Sequence, residues 1–268
     1  MKMNSMLPKA DFQMLPKMPK SLLISLAALM AALCCVMTMI FQIYVPATYG
    51  YFNLGEVGVY IAALLFGPII GAIAGGIGSM LADILLGYPH YALATLIIKG
   101  LEGFAVGYLS QKFRGRFAKH QLLYLSIFIG LGLAFGLAII GWLRFSGELY
   151  LSGGPETGAW WLTFIIIPSY VWFILAIYIG ASTILIAYKY EPEAAWNATA
   201  MLIGGFLMIT GYFLYQQLVL LPIFSLPVVP LVELPANLMQ SIIGIMVALP
   251  LTERIRKVFT RTGWFSGN

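Results

Sequence analysis

The chain has 268 residues, 61% of them hydrophobic and only 9% charged, with a formal net charge of +5 and a mean hydropathy of +0.91. Soluble domains run near one half apolar and one quarter charged, so this composition excludes a disordered chain, a coiled coil and an ordinary cytosolic enzyme. It fits an all-α polytopic membrane protein, whose spans need about 20 apolar residues each.

Residues 1–20 form a basic tail, with Lys2, Lys9, Lys17 and Lys20 against Asp11. The apolar run 21–43 is longer than the roughly 7–15-residue core of a signal peptide, and no small-x-small cleavage site follows it, so it reads as a retained span. Within it, Ala27, Ala28, Ala31 and Ala32 form two overlapping Ala-x-x-x-Ala pairs. They make a smooth strip where a helix can approach closely, either inside this chain or on a partner membrane protein. The adjacent Cys34 and Cys35 have neither disulfide nor metal spacing and read as small apolar helix residues. Loop 44–56 carries Tyr44, Tyr49 and Tyr51. Such rings are either interface anchors or the lid of a small-molecule pocket.

Seven further spans are expected at about 57–67, 69–87, 91–110, 121–143, 160–187, 197–220 and 233–250. Gly67-Pro68 separates the first two of these, which predicts a tight hairpin. Three ionisable residues fall inside spans: Asp83, Lys99 and Glu102. Such groups are costly in hydrocarbon and usually face a partner or a wet cavity. Lys99 and Glu102 are three apart and can pair on one helix face. The turn Gly87-Tyr88-Pro89-His90 brings the helix of Asp83 back beside theirs. The group is an ion-pair lock, the polar floor of an outward-facing pocket, or a proton relay. Further on, Tyr212, Tyr215, Gln216 and Gln217 close one span, and Glu233, Asn237 and Gln240 open the next. Polar side chains at matching depth imply a shared cavity or interhelical hydrogen bonds.

Eight spans place both termini on one side. The N-tail lysines, Lys112, Arg114, Arg116, Lys119, Lys189, Arg254, Arg256, Lys257 and Arg261 all fall on that side, against Arg144 on the other. The positive-inside rule then makes both termini cytoplasmic. The basic excess is an orientation signal and a contact for anionic membrane lipids, not for nucleic acid. No G-x-S-x-G, H-E-x-x-H or G-x-x-x-x-G-K-[ST] occurs, and His90 and His120 lie on opposite sides. An enzyme is therefore not expected, nor a metal or cofactor. The sequon at Asn197 sits at the cytoplasmic end of a span and is discounted.

One extended pattern carries a resemblance. The stretch NLGEVGVYIAALLFGPIIGAIAGGIGSMLADILLGYPHYALATLIIKGLEGFAVGYL, from Asn53 to Leu109, resembles the core of the S components of energy-coupling factor (ECF) transporters. The region from Ala198 to Leu251, with GGFLMITGYFLYQQ and LPANLMQSIIGIMVALPL, resembles that family's last two helices. The resemblance implies a six-helix core. Here it would comprise 21–113 and 196–251, with an inserted transmembrane hairpin at 114–195 and a basic tail at 252–268. Trp160 and Trp161 in that insertion could wall the site.

The resemblance further implies a prokaryotic plasma-membrane protein that captures a vitamin or its precursor from outside. It would deliver that load inward with a T-component membrane protein and two ATPase subunits. The lid would be residues 49–53. The lining would include Tyr51, Asn53, Glu56, Asp83, Tyr88, His90 and Lys99, together with Glu102, Tyr212, Gln216, Glu233, Asn237 and Gln240. The alanine strip would meet the T component. Candidate substrates are a thiamine-precursor pyrimidine, a pyridoxine-like ring or a riboflavin-like ring. Two other classes compete with this reading: a proton-coupled carrier using Asp83, Lys99 and Glu102, and a membrane enzyme acting on lipids.

Overall fold

The computed structural model describes residues 19–113, 118–144, 146–151, 163–189 and 192–261. Helix α1 spans Lys20–Ile40 and stops where Phe41 turns extended, at φ −142°. A β-hairpin follows, with β1 (Gln42–Val45) antiparallel to β2 (Gly50–Asn53) and Tyr44 opposite Tyr51. The first span is therefore shorter than the apolar run 21–43. Its last residues join the hairpin, because aromatic and β-branched side chains suit strand as well as helix.

A helical stretch runs Gly55–Ile73, widens into a π-turn at Ala74–Gly78 and ends as Ser79–Leu85. It is not straight. Gly67 has φ 82° and ψ −169°, a conformation that glycine adopts freely and L-residues do not. A Cβ built on Gly71 would lie 2.8 Å from the Ala63 Cβ, and one on Gly75 would lie 3.1 Å from Val59 Cγ1. Along one straight helix these pairs, eight and sixteen residues apart, would be separated by about 12 and 24 Å. The chain therefore reverses at Gly67-Pro68, as the sequence predicts. We number the two arms α2 (55–66) and α3 (68–85).

Gly87, at φ 86°, turns the chain into α4 (Pro89–Lys112). Helices α5 (Lys119–Arg144) and α6 (Ser169–Lys189) pack on each other and flank a second hairpin. In it β3 (Gly147–Leu151) pairs with β4 (Thr163–Ile167). The span expected at 160–187 is corrected here: 163–167 is strand, in the β-branched run TFIII. Trp160 and Trp161 lie outside the described residues. Helix α7 (Pro192–Tyr215) ends in a π-turn at Gln216–Leu220, and α8 runs Pro230–Arg261, eleven residues beyond the expected 250. Helices α4, α7 and α8 each open on proline, where the missing N–H costs nothing and the fixed φ favours the helix.

Five helical stretches among the described residues are long and apolar enough to cross a membrane. One of them is 55–85, which the reversal at Gly67 divides in two. The chain is an all-α polytopic membrane protein. Its outer surface is apolar, with Ile24, Leu93, Phe128 and Phe206 each more than 65% exposed, as a lipid-facing surface requires. Helix α2 lies at the centre, where Val59, Tyr60 and Leu64 are fully buried against α1, α4 and α8.

The alanine strip of α1 is split by its neighbours. Ala27 and Ala31 are buried, and the Ala31 carbonyl lies against Gly78 of α3. Ala28 and Ala32 are exposed. The four do not share one free face, because consecutive positions on a helix are turned about 100° apart.

Candidate functional site

Helix α4 carries Tyr91, Thr95 and Lys99 at four-residue spacing, so they stack along one face. Helix α8 repeats the device with Glu233, Asn237 and Gln240. Both faces turn toward a cavity beneath the first β-hairpin, completed by Gly50, Tyr51 and Asn53 of β2, Asp83 of α3 and Tyr212 of α7. The cavity contains about 320 Å³ of space, counted out to its mouth. It lies at the end of the bundle opposite the basic loops.

The floor is an ion cluster. Lys99 Nζ donates to Glu56 Oε1 and, at 3.3 Å, to Glu102 Oε2. Tyr60 donates to Glu102 Oε1 at 3.0 Å, and its oxygen lies 2.9 Å from the Ser241 hydroxyl. Lys99, Glu56, Glu102 and Tyr60 are all buried. Such charges persist in low dielectric only when paired and hydrogen-bonded. Glu56 also lies in the first turn of α2, where the helix dipole favours a negative charge.

The upper wall carries two more carboxylates. Asp83 Oδ1 accepts from the Tyr51 hydroxyl at 2.6 Å, whereas Oδ2 has no hydrogen-bond partner. Burial, then the neighbouring Asp83, push the Tyr51 phenol well above its ordinary range, so it stays a proton donor to Asp83. Glu233 accepts from the Gln216 amide, which also donates to the Tyr91 hydroxyl at 3.0 Å. Tyr212 donates to Thr95 at 3.0 Å, and its ring lies 6.0 Å from Lys99 Nζ.

The hairpin is tied to these walls from several sides. The Asn53 amide donates to Gln240 Oε1 at 2.6 Å, and Gln240 donates in turn to Asn237 at 3.1 Å. Tyr91 donates to the Thr48 carbonyl at 2.7 Å, and the Val229 amide to the Ala47 carbonyl at 2.7 Å. The Tyr88 ring lies on Tyr51, with centroids 4.6 Å apart.

Of the residues expected at the site, Tyr51, Asn53, Asp83, Lys99, Tyr212, Glu233, Asn237 and Gln240 line the cavity. Glu56, Glu102 and Gln216 stand behind this lining and hold it. Tyr88 and His90 are half-buried outside it. An ion pair between Asp83 and Lys99 does not form: Lys99 pairs with Glu56 and Glu102 instead. The reason is depth. Lys99 lies about 15 Å along α4 from Pro89, while Asp83 is two residues from the end of α3. The sequence reading missed Tyr91 and Thr95, although their spacing from Lys99 marks the same face. Among the described residues no cluster of His, Cys, Asp and Glu could hold a metal ion.

Residues 20–154 and 158–257 match the family model described as ECF-type riboflavin transporter, S component. The thiamine precursor transporter HmpT of Lactococcus lactis subsp. cremoris is 31% identical over 138 residues, which are 51% of this chain and 74% of that protein. A Pyrococcus woesei protein, known only as an uncharacterized protein in the gap 3′ region, is 41% identical over 119 residues. These are 44% of this chain and 74% of that protein.

Proposed function

The chain belongs to the ECF-type riboflavin transporter S component family, and on that premise we propose that it captures a vitamin or vitamin precursor in the cavity beneath its first β-hairpin. One observation carries the reading: the cavity is walled by aromatic, amide and carboxylate side chains on rigid helices and closed by a short hairpin. That combination suits a flat polar ring, with tyrosines for its faces and amides and carboxylates for its edges. The basic loops lie at the far end, so the positive-inside rule turns the cavity outward. The ligand is then delivered inward with a T component and two ATPase subunits. Among the described residues, none that lines the cavity comes from 114–195, so the site is built by the parts of the chain on either side of that segment.

The test is thermal unfolding of the full chain in detergent with thiamine-precursor pyrimidines, pyridoxine-like compounds and riboflavin. A ligand that binds only the folded state, at a hundredfold excess over its Kd, stabilises it by about 2.7 kcal/mol. One such ligand is expected. No shift with any of them would overturn the capture reading and point to proton-coupled uptake.

We further propose that Ala28 and Ala32, the exposed half of the alanine strip, contact the T component. Ala28→Trp should leave ligand binding intact and abolish ATP-driven uptake in reconstituted vesicles. Undiminished uptake would rule that contact out.

A further inference from the structure

We propose that the ligand of this cavity is a cationic or amino-bearing heteroaromatic ring, held at its edge by Asp83 and Glu233. This rests on the capture reading and narrows it. The charges around the cavity do not balance. Lys99 is committed to two carboxylates already, Glu56 and Glu102. Asp83 and Glu233 have no cation within ion-pair distance among the described residues. Asp83 is only 4% exposed and lines the cavity; its Oδ2 makes no hydrogen bond, although the Thr95 hydroxyl lies close to the carboxylate. A buried acceptor left unmade is costly, so this oxygen marks where a donor belongs.

The surroundings of Asp83 sharpen the point. It sits in the last turn of α3, where the helix dipole presents its negative end and opposes an anion. Glu233 lines the same cavity and is a second carboxylate in it. Glu233 itself receives an amide proton from Gln216, but no positive charge. A ring nitrogen flanked by an exocyclic amino group answers both needs. It supplies N–H donors in the plane of the ring and, when protonated, the missing positive charge. Tyr51, Tyr91 and Tyr212 line the same cavity and offer ring faces to a cation. A ring edged by carbonyl oxygens would set acceptor against acceptor at Asp83. A ligand bearing a carboxylate or phosphate would add a further negative charge.

The experiment compares three probes by calorimetry on the full chain in detergent: an aminopyrimidine with a hydroxymethyl arm, the same ring with oxo in place of amino, and riboflavin. The amino ring is expected to bind at least tenfold more tightly than the other two. Asp83→Asn keeps the shape and an acceptor oxygen for Tyr51, but removes the charge and turns the second acceptor into an N–H donor. It should weaken the amino ring at least tenfold and the oxo ring far less, and Glu233→Gln should act in the same direction. Riboflavin or the oxo ring binding as tightly as the amino ring would overturn this proposal and leave the capture reading standing. So would an amino preference that survives both substitutions. Binding of none of the three would overturn this proposal, and the capture reading would fall with it only if the pyridoxine-like compounds also fail to stabilise the chain. The selectivity of the unmodified chain decides the matter even where a variant fails to fold.

Discussion

Replacing Lys99 with methionine is expected to cost about 3–5 kcal/mol of folding stability, the usual consequence of removing one partner from a buried ion pair. The aliphatic stem is retained, so little packing is lost. The loss arises because Glu56 and Glu102 stay buried, and the cation between them is gone. Tyr60 still donates to Glu102, which softens the penalty at one carboxylate only. Glu56 is left with no partner on either oxygen. The triple variant Lys99→Met, Glu56→Gln, Glu102→Gln removes the charges together and should recover most of the loss. Thermal unfolding in detergent measures both. A single variant as stable as the parent would mean that the cluster carries no net charge worth compensating.

The second large effect is expected where α3 crosses α4. These helices meet backbone to backbone. A Cβ on Gly71 would lie 2.7 Å from the Gly103 carbonyl oxygen, and one on Gly107 would lie 2.5 Å from the Gly67 carbonyl carbon. The obstacle is main chain, which has no rotamer to move aside. Gly107→Ala should therefore cost about 1–3 kcal/mol or somewhat more, as overpacking does. Close approach of this kind is what holds helices together where lipid removes the hydrophobic drive between them. Gly132→Ala and Gly136→Ala are the controls, because a Cβ at either position meets nothing within 4 Å. They should be neutral or slightly stabilising through better helix propensity. Equal losses at all three positions would refute the steric account.

Hydrophobic runs made the helices legible from the sequence, and Gly67-Pro68 marked the reversal between α2 and α3. Local spacing made the α8 face legible, because Glu233, Asn237 and Gln240 lie within two turns. The Lys99–Glu102 pair was legible for the same reason. The Lys99–Glu56 contact was not, because it joins residues 43 apart and depends on how deep α2 begins. Tyr91 and Thr95 were passed over because an aromatic ring and a hydroxyl in a span usually signify packing. Only the position of Lys99 beneath them makes their face a wall. The β-hairpins were hidden by composition, since segments such as QIYV and TFIII are as apolar as the helices they adjoin. The alanine strip split because its spacing fits two faces, and only the position of Gly78 decides which one is covered.

Strand β2 is buried along its whole length, so α2 begins deep in the bundle and is only twelve residues long, about 18 Å. The cavity floor at Lys99 is correspondingly far down, about 15 Å from the start of α4, against a hydrocarbon layer of about 30 Å. A site at that depth lies inside the electric field of an energised membrane. A univalent cation that reaches it from outside has already fallen through part of the voltage. Asp83, which would hold the cation, is only about 3 Å from the end of α3, so at about 2.3 kcal/mol per charge for each 100 mV about a tenth of the drop adds roughly 0.2 kcal/mol to occupancy. Capture of a positively charged ligand would then tighten with membrane potential before any nucleotide is spent, and capture of a neutral one would not.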